Sequence, residues 1–285
     1  EIKTRRISRN QFAGEYHSHF KGKGMAFSEV REYRYGDEIR NIDWKVTARY
    51  NHPYIKVYEE ERELTVMLLI DVSGSRFFGT EQKFKRDLIT EIAAVLAFSA
   101  ISNNDKVGMI MFSDQVEKYI PPKKGRSHIL RIIRDLLEFE PSSTQTNITP
   151  ALRHLTNVIK KKSIAFLLTD FMDMDSEKQK LRFEEALKIA NRKHELVGVR
   201  IYDKKERDLP AVGLMKMKDS ESGKQFWIDT SDPKVLNGYR RWWSAFDASL
   251  SDLFVRNGMN VAQIATSDDY IKPLISLFKR KNRRL

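Results

Sequence analysis

An unbroken apolar run that stops on a carboxylate constrains this chain more than any other feature. Leu64-Thr65-Val66-Met67-Leu68-Leu69-Ile70 shows no alternation of apolar and polar residues, and Asp71-Val72-Ser73-Gly74-Ser75 follows at once. A strand with one face in water alternates. A run that is apolar throughout fits a strand covered on both faces, as in a parallel sheet between layers of helices. In open α/β sheets ligands sit just beyond the carboxyl ends of the strands, and Asp71, Ser73 and Ser75 fall there. One carboxylate and two hydroxyls form an oxygen-only donor set, suited to Mg²⁺ or Mn²⁺ rather than zinc. The stretch reads as half of a metal site.

The rest of the chain repeats the strand–helix rhythm. A helix is predicted over 81–102, with Phe84, Leu88, Ile92 and Val95 marking its apolar stripe. Strands follow at 106–112 and 116–120, the second ended by Pro121-Pro122. A helix over 127–139 takes Ser127 as its cap. The polar loop 142–147 leads into a helix with Pro150 in its first turn, where proline is tolerated. At 163–170 a second apolar run again ends in an aspartate, Asp170. Next come a helix over 177–194, a strand over 195–202, and a hairpin pairing 212–217 with 224–228 across Glu221-Ser222-Gly223. A long helix carries Tyr239, Trp242, Phe246, Leu250 and Leu253 at core spacing; a strand over 259–264 and a helix from 268 complete the chain.

This order predicts an α/β fold: a mostly parallel central sheet flanked by helices on both faces, with right-handed crossovers. Residues 63–285 form the main domain, with a β-hairpin inserted at about 211–229. Residues 1–62 form an extension packing on it, punctuated by Gly14, Gly22, Gly24 and Gly36. Within the extension, 54–58 alternates like an edge strand, Asp43 caps a short helix from Trp44, and Asp37, Asp43, Arg40 and Arg49 are available as ion pairs. Docking is the plainer role for the segment 31–49, and partner contact the sharper one.

Composition narrows the function. The 285 residues contain no cysteine, which removes thiolate metal sites and Cys nucleophiles and fits a reducing cytoplasm. No apolar stretch approaches the roughly 18 residues that span a bilayer. The 51 Lys+Arg against 39 Asp+Glu leave a charge of +12, crowded at Lys3, Arg5, Arg6 and Arg9 and again at Lys279, Arg280, Lys281, Arg283 and Arg284. Such a surplus admits a nucleic-acid reading, but the aromatics fall on core stripes and no nucleic-acid motif accompanies them. Metal-assisted hydrolysis at Asp71 and Asp170 is the other alternative, and no accompanying base is identifiable. His194-Glu195 lacks the second histidine of a zinc-protease helix, and Ser73 lacks a nucleophile elbow.

Asp71-Val72-Ser73-Gly74-Ser75 resembles the Asp-x-Ser-x-Ser opening of a metal-ion-dependent adhesion site, the hallmark of Rossmann-type von Willebrand factor A domains. The resemblance implies that a loop threonine and a strand-end aspartate complete the site, which Thr146 and Asp170 match; Thr144 competes with Thr146, because Gln145 stands where a glycine is common. It implies that Ser73, Ser75 and Thr146 ligate Mg²⁺ directly and that Asp71 and Asp170 act mainly through bound water. One position is then open to a partner's Asp or Glu, with Gly74 and Asn147 as partner contacts. Gly36-Asp37, Arg40, Ile42-Asp43-Trp44, Ala48-Arg49, Phe78-Gly79 with Lys83-Phe84, Asp105-Lys106-Val107-Gly108 and Asp208-Leu209-Pro210 resemble the bacterial family called domain of unknown function 58. That resemblance implies a non-enzymatic cytoplasmic adaptor or co-chaperone working with a MoxR-type AAA+ ATPase.

Overall fold

The side chains of the strand Thr65–Asp71 (β3) divide between two cores, which explains why its sequence does not alternate. Val66, Leu68 and Ile70, with Val72 beyond, enter one apolar cluster, while Met67 and Leu69 enter the other. Burying each such side chain contributes about 1.5–3 kcal/mol, so both faces must be roofed. The computed structural model describes residues 14–16, 26–59, 63–77, 84–175, 180–219, 221 and 223–279.

In chain order the named elements begin with β1 (Ala26–Glu32), α1 (Trp44–Tyr50) and β2 (Tyr54–Glu59), ahead of β3. Then follow α2 (Lys85–Ser102), β4 (Lys106–Phe112), β5 (Val116–Lys123), α3 (Arg126–Glu138), α4 (Ile148–Val158) and β6 (Ile164–Thr169). The short pair β7 (Met174–Asp175) and β8 (Lys180–Leu181) precedes α5 (Glu184–Lys193), β9 (Glu195–Tyr202) and α6 (Lys204–Arg207). The hairpin is β10 (Leu214–Lys218) and β11 (Gln225–Asp229), before α7 (Pro233–Arg256), β12 (Asn260–Ala265) and α8 (Ile271–Lys279).

Six strands form the central sheet in the order β12-β9-β6-β3-β4-β5, parallel except for β5. Helices α2, α3 and α8 cover one face, and α4, α5 and α7 the other. The expected α/β architecture is therefore present. β3 and β6 are neighbours, so Asp71 and Asp170 leave the sheet side by side. The hairpin pairs as expected, forming a two-stranded sheet of its own.

Several local expectations need correcting. Pro121 and Pro122 lie inside β5 instead of ending it. β5 is an edge strand, and its pairing with β4 shifts register between Val107 and Met109, so one missing N–H falls at that irregularity and the other on the open side. Gly108 is required there, because a Cβ would stand 2.9 Å from both Ile120 O and Pro122 N. Ser127 does not cap α3; the N-cap is Gly125, at φ +103°, and makes no side-chain cap bond. The helix expected over 177–194 is shorter, since Lys180–Leu181 pairs as a strand with Met174–Asp175.

In the extension, β1 and β2 form an antiparallel pair separate from the main sheet. Asp43 caps α1 by accepting from Lys45 N and Val46 N. The acids pair otherwise than expected: Asp37 takes Arg31 at 2.8 Å and Asp43 takes Lys56 at 3.6 Å, rather than Arg40 or Arg49. Tyr16 is buried, with its ring edge-on to Phe278 at 5.8 Å and its hydroxyl 3.3 Å from Asp105 Oδ2. The basic residues 3–9 and 280–284, together with Gly22, Gly24, Phe78, Gly79, Lys83 and Ser222, lie outside the described residues.

Candidate metal centre

Three loops at the carboxyl edge of the sheet converge. Beyond β3, Asp71 Oδ1 accepts from Ser73 N at 2.9 Å, which tightens the turn and brings Ser73 Oγ within 3.2 Å of Ser75 Oγ. Asp71 Oδ2 accepts from Thr169 Oγ1 at 2.7 Å, locking the ends of β3 and β6 together. The second loop is stitched to the first where Gly74 N donates to Thr144 O at 2.8 Å. Asn147 caps α4 by accepting from Thr149 N, and its own N–H donates to Ser113 O. Behind this loop the buried Asp173 accepts from Ile148 N and pairs with Arg182, which also donates to Thr146 O.

The third loop turns on Phe171, whose φ of +63° is left-handed and uncommon for a bulky residue. Its fully buried ring packs against Phe183 and Phe254, and that packing holds the conformation. Asp170, one residue earlier, accepts from Met172 N at Oδ1 and from Lys85 Nζ at Oδ2, both at 3.0 Å. Lys85 is 2% exposed and also pairs with Glu206 at 2.6 Å.

Of the two candidate threonines, Thr144 is exposed and donates to Glu221 O at 2.7 Å. Thr146 is buried, and among the described residues its Oγ1 finds no partner at full hydrogen-bond geometry. The carboxyl of Glu221, at the tip of the hairpin, faces the Thr146 hydroxyl and feels the charge of Asp170.

Electrostatics separate the two aspartates. Burial, reinforced by the neighbouring Asp170 charge, pushes the Asp71 pKa up to about 6. Burial opposes ionisation of Asp170 as well, but the Lys85 ammonium and the Met172 N–H outweigh it and hold its pKa below the usual value. Burial works against the Lys85 charge too, yet Asp170 and Glu206 keep its pKa raised. Burial raises the carboxyls of Glu206 and Glu221.

Among the described residues no group of three or more His, Cys, Asp or Glu side chains is spaced to hold a metal ion. A cation here would have to draw on hydroxyl oxygens. The donor set fits that demand: a buried threonine oxygen, two adjoining serine oxygens, and two acids whose oxygens each keep a spare lone pair. The sequence reading missed Thr169, Lys85, Glu206 and Glu221. A signal for Lys85 existed: it heads the buried stripe Leu88, Ile89 and Ile92 at helical spacing.

Comparison with known proteins follows the same lines. The family described as "Protein of unknown function DUF58" matches residues 29–246. An uncharacterized protein of Mycobacterium tuberculosis is 26% identical over 274 residues, covering 95% of this chain and 84% of that protein. An aerotolerance-related membrane protein from Bacteroides fragilis, known from its crystal structure, superposes with a TM-score of 0.50 at 16% identity, covering 77% of this chain and 99% of that one. A von Willebrand factor type A structure from Catenulispora acidiphila gives a TM-score of 0.38 at 11% identity, covering 78% of this chain and 42% of that one. The likeness to the Bacteroides fragilis protein is one of fold alone. Among the described residues no helix is long and apolar enough to cross a membrane.

Proposed function

This chain belongs to the DUF58 family, and from that premise we propose that it is a non-enzymatic protein-interaction module whose docking point is a Mg²⁺ or Mn²⁺ site at the carboxyl ends of β3 and β6. Ser73, Ser75 and Thr146 hold the ion through their hydroxyls, while Asp71 and Asp170 orient its bound water. The bound ion supplies a Lewis-acidic position for a partner's Asp or Glu carboxylate. Gly74 and Asn147 border that position. The observation that carries this reading is the convergence at the carboxyl edge of the sheet of the buried Thr146, the adjoining Ser73 and Ser75 hydroxyls and two buried acids.

The residues behind the site are engaged in fixing geometry. Both oxygens of Asp71 and both of Asp170 already accept hydrogen bonds, which suits orientation better than proton transfer. His194 bonds Ser163 at the opposite end of β6 and is too remote to act as a base there. The family resemblance supplies the finer reading: a cytoplasmic adaptor or co-chaperone for a MoxR-type AAA+ ATPase in the assembly of other proteins. Exposed Tyr35, Ile39 and Trp44 give the extension a surface for such a partner, while Tyr16 docks it on the main domain.

The test is calorimetric Mg²⁺ titration of the wild type and Asp71→Ala, with circular dichroism to check the fold. Saturable binding lost in a folded variant is expected. A wild type that takes up no Mg²⁺, or binding indifferent to Asp71→Ala, would refute the site. Nucleic-acid binding that weakens steeply with salt yet survives Asp71→Ala would favour a role for the basic surface instead.

A further inference from the structure

The hairpin β10–β11 is fastened at its two ends and open between them. At its base the buried Thr230 donates from Oγ1 to Gly213 O at 2.7 Å and accepts from Val212 N at 3.0 Å. Along its body Leu214 and Trp227 are 67% and 63% exposed, so the strands add little to either core. At its tip Thr144, two residues before Thr146 in the loop, donates to Glu221 O at 2.7 Å.

The tip itself is shaped. Gly223 N donates to Asp219 O, Asp219 N to Lys224 O, and Glu221 N to Asp219 Oδ1 at 3.2 Å. Gly223 has a φ of +68°, which a glycine accepts without strain. This turn presents the Glu221 carboxyl to Thr146 and Asp170. Lys85 already divides its single charge between Asp170 and Glu206, so the carboxyl that Glu221 adds is a further negative group repelled by Asp170 until another cation joins them. A hairpin that buries little of its body, yet brings an acid to this spot, has a geometry suited to delivering a ligand.

We propose that Glu221 is a tethered carboxylate ligand of the cation, filling from within the chain the position that a partner's Asp or Glu must take. The inference rests on the metal-site reading above and adds its regulation. The partner binds by exchanging one carboxylate for another, and the hairpin swings out on its Thr230 clamp when Glu221 is displaced. The exposed apolar face of the hairpin is then free to contact the incoming chain. Affinity for a partner is thereby reduced by the share of molecules in which Glu221 occupies the ion.

The experiment uses the full chain, Mn²⁺ as probe, and water-proton relaxivity to count exchangeable water on the bound ion. Wild type, Glu221→Ala and Asp71→Ala are compared. Glu221→Ala is expected to bind Mn²⁺ about tenfold more weakly and to carry additional exchangeable water; added acetate should lower the relaxivity of Mn²⁺-loaded Glu221→Ala but not of the wild type. Thr144→Val, which loosens the tip without touching the carboxyl, should shift the water count in the same direction. Equal affinity and equal hydration in wild type and Glu221→Ala overturn the tethered ligand while leaving the cation site standing. Failure of the wild type to bind Mn²⁺ any better than Asp71→Ala overturns both.

Discussion

Lys85→Met tests the electrostatic logic of the centre most directly. Methionine keeps most of the aliphatic stem and removes the ammonium, which sits 3.0 Å from Asp170 and 2.6 Å from Glu206. The lysine side chain is 2% exposed, and those of its partners 5% and 18%, so solvent screens the trio weakly. Breaking a buried pair by deleting one member costs about 3–5 kcal/mol, because the remaining charge is left uncompensated. Against a total stability of about 5–15 kcal/mol that is a large fraction. With the denaturant dependence near 3 kcal/mol per molar urea, the unfolding midpoint should fall by about 1–1.7 M in EDTA. Mg²⁺ then enters with the opposite sign. Asp170 released from an ammonium attracts a divalent cation more strongly, and an ion at about a hundred times its dissociation constant adds about 2.7 kcal/mol. The stabilisation by Mg²⁺ should therefore be larger in Lys85→Met than in the wild type. Urea titrations followed by far-ultraviolet circular dichroism, in EDTA and in saturating Mg²⁺, read both effects. A variant within about 1 kcal/mol of wild type in EDTA would refute the idea that Lys85 neutralises the site, and equal Mg²⁺ increments would refute competition between ammonium and metal.

Three further outcomes are expected away from the metal. His194 is buried neutral against Ser163, and burial lowers its pKa to about 4; the unfolded chain, with an ordinary value near 6.5, takes up a proton that the native state refuses. Stability should thus be full above about pH 6.5 and fall by about 3 kcal/mol as pH drops toward 4, a slope that His194→Asn removes in pH-dependent urea melts. Gly108→Ala places a Cβ 2.7 Å from Met67 Sδ and 2.9 Å from two backbone atoms of β5, so thermal unfolding should show a loss of about 1–3 kcal/mol. Tyr16→Ala empties a fully buried aromatic site between the extension and α8 and should lower main-domain stability by about 3 kcal/mol, with Tyr16→Phe losing about 1 kcal/mol; an unaltered melt would show that the extension does not brace the domain.

How much of this was readable beforehand depended on whether a residue's role was local. The apolar runs of β3 and β6 declared themselves because a strand roofed on both sides leaves no polar position, and their terminal aspartates inherited a location from the sheet. The Asp71, Ser73 and Ser75 spacing lies within one turn, so its geometry could be anticipated. Lys85 was misjudged because a lysine in a helix is normally solvated, and its burial depends on acids about 85 and 121 positions away in sequence. Glu221 looked like an ordinary turn residue, since only the folded hairpin brings it to Thr144 and Thr146. Pro121-Pro122 misled for a related reason: proline terminates a strand that needs partners on both sides, and nothing in the local sequence says that β5 has one open side.

That open side has a consequence for how the molecule behaves in company. A bare strand edge offers a row of N–H and C=O groups on which another chain can zip, and neighbouring copies of the same protein supply many such chains. Along β5, the Pro121-Pro122 pair takes a donor out of the edge, and the pairing with β4 shifts register beside it, where Gly108 admits the β5 backbone at close range. A second copy meeting this edge would find the ladder interrupted partway along. For a protein proposed to capture others through a single ion, this is protection against self-association: recognition is steered toward the loops at the end of the sheet and away from its flank.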